Sequence, residues 1–481
     1  MPSASPAAEG FGDGMRELAC DVAVIGAGTA GIAAFRAAVA AGAEAVLIER
    51  GPGGTTCARV GCMPSKLLIA AGAAAHDARG AGLFGVRVEG VAVEGQAVMA
   101  RLRAERDRFV GGVFDALDEI GSDCRIMGHA RFRDGRTLAV DDHTRIRFRA
   151  AVIATGSSPS VPKPLQGLGE RVLTTDTLFE IPDLPASLAV LGAGPVGIEI
   201  AQAMARLGVA VSLFDNGPVL AGLTHPDLVR AAREIFAAEM DLHLETEVAS
   251  AAAEGAGVRL SWTGPDGRPG EAVFDRVLAA TGRPPNLHGL DLDRAGLRLG
   301  EEGMPEFDPR SLLCAGAPLL IAGDADALRP VLHEASRQGS IAGANAAALA
   351  RGAALEAPEP WTSLAVVFTH PQTARIGASY DPDVTETRVG GSDFCDQGRA
   401  RVEGRNSGAL RLWADRAGKL LGAEMIAPEA EHLAHILAYA IGEGLTARAV
   451  LDRPFYHPTV EEGMRDALTA VLPADAEAGA A

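Results

Sequence analysis

The chain has 481 residues, more than one ordinary hydrophobic core accommodates, so two to four domains are expected. About half of it is apolar and 22% is charged, a globular balance, and a formal net charge of −18 argues against nucleic acid or an anionic membrane as a main partner and fits a cytoplasmic enzyme. Six cysteines in this length do not make a secreted disulfide scaffold, and Cys20, Cys124, Cys314 and Cys395 are scattered as small buried residues would be.

Residues 1–19 hold Pro, Ser, Gly, Glu and Asp with no apolar stretch, and are expected to form a loose tail without a signal peptide. Order is expected from Asp21–Ile25, a short apolar run suited to a buried parallel strand. Gly26-Ala-Gly28-Thr-Ala-Gly31 follows, then an alanine-rich helix over about 30–41, then a strand at 45–48 ending on Glu49. Strand, glycine turn, helix, strand and acid together make a dinucleotide-binding fingerprint. Gly26 makes the turn, Gly28 admits a pyrophosphate, and Gly31 lets helix and strand pack. The helix N-terminus offers free N–H groups to the phosphates, and Glu49 accepts from the ribose hydroxyls.

Next comes Gly53–Lys66, with Cys57 and Cys62 five positions apart. In a regular helix that spacing separates the Cα atoms by roughly 8.6 Å, whereas a disulfide wants less than about 7 Å. A bridged pair therefore requires a distorted helix, and Gly61 is the residue placed to allow it. The pair is read as a redox-active disulfide, with a helix start favouring the thiolate. The other readings are two reduced structural cysteines or half of a metal site, although a second Cys/His cluster at metal spacing is absent from the sequence. A flavin on the neighbouring fingerprint would pass electron pairs to such a bridge; nicotinamide alone would not.

Residues 67–121 read as mostly helical, 128–132 and 137–140 as short strands, and His129 as structural. Ala151–Ser157 is a buried strand ending in the turn Thr155-Gly156-Ser157, followed by Pro159, Pro162 and Pro164 as a domain connector. A second fingerprint then appears: a strand at 188–191, Gly192-Ala-Gly194-Pro-Val-Gly197, a helix over 198–207, and a strand ending on Asp215. Asp215 favours NAD, since a carboxylate accepts from a 2′-hydroxyl and repels a 2′-phosphate, and no arginine stands in 216–222. Ala279–Asn286, with Thr281-Gly282, closes this unit and echoes Thr155-Gly156. Leu319–Asp324 is a further strand ending in Gly-Asp, the 332–349 stretch a helix, and 350–360 a linker. Glu199, Gln202 and Arg206 interrupt the long Gly/Ala/Val stretches, so no membrane span is expected. From about 360 to 468, strands near 364–368, 409–414 and 419–425 with a helix at 432–439 suggest an antiparallel interface domain; residues from 473 on are expected to be disordered.

On these motifs, together with His457-Pro-Thr-x-x-Glu462, the chain from about 20 to 470 resembles the flavin-dependent pyridine nucleotide-disulfide oxidoreductases of class I, and within them the dihydrolipoamide dehydrogenases. The resemblance implies an α/β fold: two Rossmann-like domains, for FAD (20–157 with 285–355) and NAD (158–284), and a C-terminal α+β dimerisation domain (356–470). It implies Cys57 as the interchange thiol and Cys62 as the flavin-side sulfur. It implies His457 as acid/base, contributed by the other subunit of a homodimer and oriented by Glu462. The FAD residues would include Thr56, Ala130, Thr155, Gly156, Ser157, Asp324 and Lys66, the last pairing with Glu199 on the NAD-fingerprint helix, and the NAD residues would include Glu199 and Gly282 besides the glycines of that turn and Asp215. The activity implied is oxidation of dihydrolipoamide, on a lipoyl-domain protein or as a small molecule, with NAD⁺.

Two departures bear on the substrate. Thr55-Thr56 precedes Cys57, one threonine more than is common in that family, and Tyr456 precedes His457 where many dihydrolipoamide dehydrogenases carry His-Ala-His. Glutathione reductase-like and mercuric reductase-like activities are the alternatives, and a non-enzymatic flavin redox sensor a third. Pro64-Ser65-Lys66 and Asp215 argue against the first, the lack of a vicinal cysteine pair near the C-terminus against the second, and the His457/Glu462 pair against the third.

Overall fold

In the computed structural model, residues 8–12, 15–384 and 386–472 are described. The chain divides into two compact units, one of residues 1–64, 104–159 and 283–360, the other of 65–103, 160–282 and 361–481. The first unit is discontinuous, and residues 65–103, expected with the FAD domain, group with the second unit.

The first unit is built on a sheet in which Arg125–Met127, Ala45–Glu49, Met15–Ile25, Thr144–Ile153 and Leu319–Ile321 run parallel in that order. Strands buried on both faces are continuously apolar, which is why Val22–Ile25 and Ala150–Ile153 read so clearly. Register places Ile25, Ile48, Ile153 and Ile321 in one row across the sheet. The chain therefore leaves four strands along a single line, the place where open α/β sheets bind ligands. The helices Thr29–Ala40 and Leu332–Ala350 cover one face. A Cβ on Gly339 would fall 2.2 Å from the Ala30 carbonyl oxygen, and one on Gly343 2.0 Å from that of Ala34, so the two helix backbones touch.

The expected loose tail is corrected by the fold at residues 8–12 and 15–19, while residues 1–7 and 13–14 lie outside the described residues. Met15–Ile25 is one strand, and Ala8–Gly12 pairs antiparallel with it. From Glu17 to Cys20 half-buried and buried residues alternate, because only one side of the strand is covered there. A continuous apolar run, the signal used at 21–25, does not mark such an extension. The C-terminal tail from 473 lies outside the described residues.

The second unit holds a five-stranded parallel sheet in the order Asp241–His243, Ala210–Phe214, Ser187–Leu191, Arg276–Ala279, Val172–Leu173. A three-stranded antiparallel meander spans residues 247–274. Its C-terminal part is a five-stranded antiparallel sheet of Leu364–Val367, Gln372–Gly377, Leu420–Ala427, Ala409–Ala414 and Arg388–Asp393. The helices Ala430–Gly442 and Gly463–Ala470 pack on this sheet. Two of its strands, Gln372–Gly377 and Arg388–Asp393, were not expected from the sequence. The second contains Gly390, where a Cβ would fall 2.0 Å from the Ala467 carbonyl oxygen; the glycine that weakens the strand signal is what lets the helix lie on it. Among the described residues, no helix is long and apolar enough to cross a membrane.

Candidate active site

The first glycine turn has the geometry that the spacing requires. A Cβ on Gly26, which has φ +105°, would meet the Ala154 carbonyl oxygen at 2.3 Å, and one on Gly31 would meet the Gly26 oxygen at 1.7 Å. Both glycines are demanded by the protein's own packing. At Gly28, by contrast, an added Cβ would have nothing within 4 Å, so the turn is open on that side. Gly28 caps the Thr29–Ala40 helix without any side-chain hydrogen bond, which leaves the first helical N–H groups for an anion. Glu49 Oε2 accepts from the Ala27 N–H at 2.7 Å and Oε1 from the Gly51 N–H at 2.8 Å. These bonds aim the carboxylate, and each oxygen keeps a lone pair for a ribose hydroxyl.

The second turn repeats this construction. A Cβ on Gly192 would meet the Ala280 oxygen at 2.4 Å and one on Gly197 the Gly192 oxygen at 1.8 Å, while Gly194 again has nothing within 4 Å. Asp215 Oδ2 accepts from the Ala193 N–H at 2.7 Å and Oδ1 from the Gly217 N–H at 2.8 Å. Gly282 has φ +120° and open space around its Cβ position.

Opposite the first turn, Thr155-Gly156-Ser157 is held by residues that the sequence groups with the close of the second fingerprint. Asn286 donates its backbone N–H to the Gly156 carbonyl at 2.8 Å and its side-chain amide to the Thr155 carbonyl at 3.1 Å. Arg283 donates to the Ser157 hydroxyl and carbonyl at 3.2 and 3.0 Å. The signal for this in the sequence is the pair of prolines after Arg283, where the chain passes into the first unit. Ser157 Oγ in turn donates to Asp324 Oδ2 at 2.7 Å. Thr155 Oγ1 is buried without a hydrogen-bond partner, a polar atom that suits a polar group of a bound nucleotide. These features fit FAD. Ala130, also expected there, has its methyl in the core beside Phe132 and Leu138, so only its backbone is available to a ligand.

The cysteine segment is two helices with a break. Thr55 caps the Thr56–Val60 helix by accepting from the Ala58 N–H at 3.3 Å, and does so at φ 58°, ψ 149°, a region that glycine normally occupies. Thr56, the other threonine, is exposed at the first position of this helix. Gly61, at φ −122° and ψ −113°, ends it, and Cys62 opens the Cys62–Gly80 helix. A Cβ on Gly61 would stand 3.0 Å from the Thr56 carbonyl oxygen and 3.3 Å from the Cys57 Cα. The glycine thus lets the second helix start close against the turn that carries Cys57. Cys57 is half-buried and Cys62 exposed.

Lys66 meets Glu199, with Nζ 3.0 and 2.9 Å from its two carboxylate oxygens. Glu199 is buried and also accepts from the Phe368 N–H at 2.8 Å, so its carboxylate is committed within the protein. The same face of the Pro195–Arg206 helix carries Gln202, which exchanges two 2.7 Å hydrogen bonds with the His370 backbone, and Arg206, which donates to the His370 carbonyl at 2.9 Å. In the sequence, Gln202 and Arg206 stand out only as breaks in an apolar stretch; together they lock the 368–370 segment to the helix.

His457 Nδ1 lies 3.2 and 3.1 Å from the two Glu462 oxygens. Glu462 also accepts from the Thr459 N–H at 3.1 Å, and this bond, followed by the one to His457, holds its carboxyl below the usual range. A proton on Nδ1 shared with the carboxylate leaves Nε2 as the basic atom of the neutral ring. The His457 side chain is 80% exposed, so the imidazole is oriented from behind and open in front.

The comparisons with known proteins agree with this architecture. Residues 20–339 match the family model described as pyridine nucleotide-disulphide oxidoreductase, and residues 363–468 match its dimerisation domain. A mercuric reductase of Streptomyces lividans is 34% identical over 446 residues, 89% of this chain and 90% of its own length. A dihydrolipoyl dehydrogenase of Haloferax volcanii is 30% identical over 469 residues, 93% of this chain and 95% of its own. Among solved structures, LpdA from Mycobacterium tuberculosis superposes with a TM-score of 0.80 at 25% identity, covering 94% of this chain and 100% of that one. Two glycine turns, a cysteine pair that follows the first in the chain and a C-terminal antiparallel sheet matching the dimerisation domain are one inheritance: the chain belongs to the pyridine nucleotide-disulphide oxidoreductases, flavoenzymes that use FAD and a pyridine nucleotide.

Proposed function

We propose that the protein oxidises dihydrolipoamide to lipoamide with NAD⁺ through a reversible Cys57–Cys62 disulfide, as a homodimer. The observation that carries this reading is the His457–Glu462 pair, a base with its orienting carboxylate. A dithiol must lose two protons as it gives up two electrons, and a thiol deprotonates slowly near neutral pH without a base. Imidazole titrates in that range, and Nε2 of His457 is the atom left to take the proton. Cys57 would exchange with the substrate, and Cys62 would be the sulfur that passes electrons to bound FAD. Bound FAD supplies two-electron exchange between that disulfide and the nicotinamide.

Gly26, Gly28 and Gly31 with Glu49 would hold the adenosine and pyrophosphate of FAD, and Thr155, Gly156, Ser157 and Asp324 its opposite side. Thr56 and the Ala130 backbone complete that set, with Lys66 at the flavin. Gly192, Gly194, Gly197, Asp215 and Gly282 would hold the second nucleotide. Asp215 selects NAD over NADP because its carboxylate is fixed where a 2′-phosphate would bring like charge. Glu199 acts on the nucleotide side only through Lys66. The second reading, reduction of Hg(II), is favoured by the 34% identity to a mercuric reductase.

Steady-state assays of NADH against lipoamide, oxidised glutathione and Hg(II), side by side, test the proposal. Lipoamide should turn over fastest, and NADPH should replace NADH poorly. Inert lipoamide beside an active second acceptor would overturn the substrate and leave the family intact.

A further inference from the structure

Tyr456 is one of three tyrosines in a chain with few aromatics, and it is 82% exposed immediately before His457. Its backbone is fixed on both sides. Phe455 packs partly buried against the core of the antiparallel sheet, with the Arg465 guanidinium 5.4 Å from its ring centre. The Thr459 hydroxyl donates to the Tyr456 carbonyl at 2.8 Å, and the Thr459 N–H donates to Glu462, the carboxylate that orients His457. One short network therefore sets the imidazole and the tyrosine together. An aromatic side chain on a fixed backbone has only two torsions left to order, so it offers contact area at small entropic cost.

We propose that Tyr456 is a specificity residue: a platform beside the proton-transfer ring that receives the uncharged aliphatic arm of the dithiol substrate. This rests on the functional reading above. The ring face would cover methylene groups, and the phenol would reach the amide at the end of the arm. A charged tripeptide disulfide such as oxidised glutathione would have to lay ionic groups on the same surface, at a desolvation cost that a chain of methylenes does not carry.

Oxidation of dihydrolipoamide and of dithiothreitol, which has the dithiol and no arm, separates the contact from the chemistry. For Tyr456→Ala, the ratio of kcat/KM for dihydrolipoamide to that for dithiothreitol should fall about ten-fold, with the loss in KM, a change worth about 1.4 kcal/mol. Tyr456→Phe should keep most of that ratio, since the platform remains. FAD content and Tm check the folding of both variants. An unchanged ratio in Tyr456→Ala, with wild-type protein active on both dithiols, would overturn the inference and spare the functional reading. Wild-type protein inactive on dihydrolipoamide would instead remove the functional reading, and this inference with it.

Discussion

At Gly28 an added methyl group meets nothing within 4 Å, whereas at Gly31 it falls 1.7 Å from a carbonyl oxygen. Identical substitutions should therefore fail in different ways. Gly31→Ala is expected to lower the Tm of the apoprotein, because helix and strand must separate to admit it. Gly28→Ala should melt as the parent does and bind FAD about ten-fold or more weakly, an effect of at least about 1.4 kcal/mol. Equal apoprotein Tm losses at both positions would refute the division. Asp326 shows the opposite situation, a side chain whose presence the fold opposes. It is 2% exposed; Oδ1 accepts from the Leu328 N–H at 2.8 Å, and the Gln338 side chain lies beside the carboxyl. Burial, followed by the nearby Asp324 charge, pushes its carboxyl up to about 6. A carboxyl raised in the native state binds its proton more tightly there than in the unfolded chain. Its contribution is therefore most favourable below about pH 4 and is lost as pH rises through 6. Asp326→Asn should stabilise the protein at pH 8 by roughly 2–3 kcal/mol and have little effect at pH 4. A shift of equal size at both pH values would refute the assignment.

Elements were legible where one local signal decided them. Both glycine turns, the acids that follow them, the cysteine spacing and the break at Gly61 could be read because each depends on a few neighbouring residues and a steric rule. Elements that depend on a distant partner could not. The Arg388–Asp393 strand carries two glycines and has poor strand propensity, and it exists because Gly390 lies under the Gly463–Ala470 helix. Residues 15–20 alternate too weakly to stand out until the Thr144–Ile153 strand is beside them. Arg283 and Asn286 looked like the end of one unit, while their side chains hold Thr155 and Ser157 of the other. The site was legible to the same degree: its glycines and acids were plain, but the clamp of Glu199, Gln202 and Arg206 on residues 368–370 requires knowing what lies across the helix.

In the whole molecule, the exposed His457 and the dimerisation domain suggest that a site is shared between two chains. Mixing inactive Cys57→Ser and His457→Gln proteins under conditions that exchange subunits tests this directly. A shared site predicts recovery of about a quarter of parental activity, because half the dimers are mixed and one of their two sites is intact. No recovery, with exchange verified by mass, would place cysteines and histidine of one site in the same chain. The interleaved order of the first unit has a different consequence, for biosynthesis. The Thr29–Ala40 helix touches the Leu332–Ala350 helix backbone to backbone through Gly339 and Gly343. A ribosome adding about 5–20 residues per second needs roughly 15–65 s to go from one to the other. Throughout that interval the nascent chain presents an alanine-lined helix face with no mate, so a segment that emerges long before its partner is sheltered late and leaves a chaperone a long time to act on it.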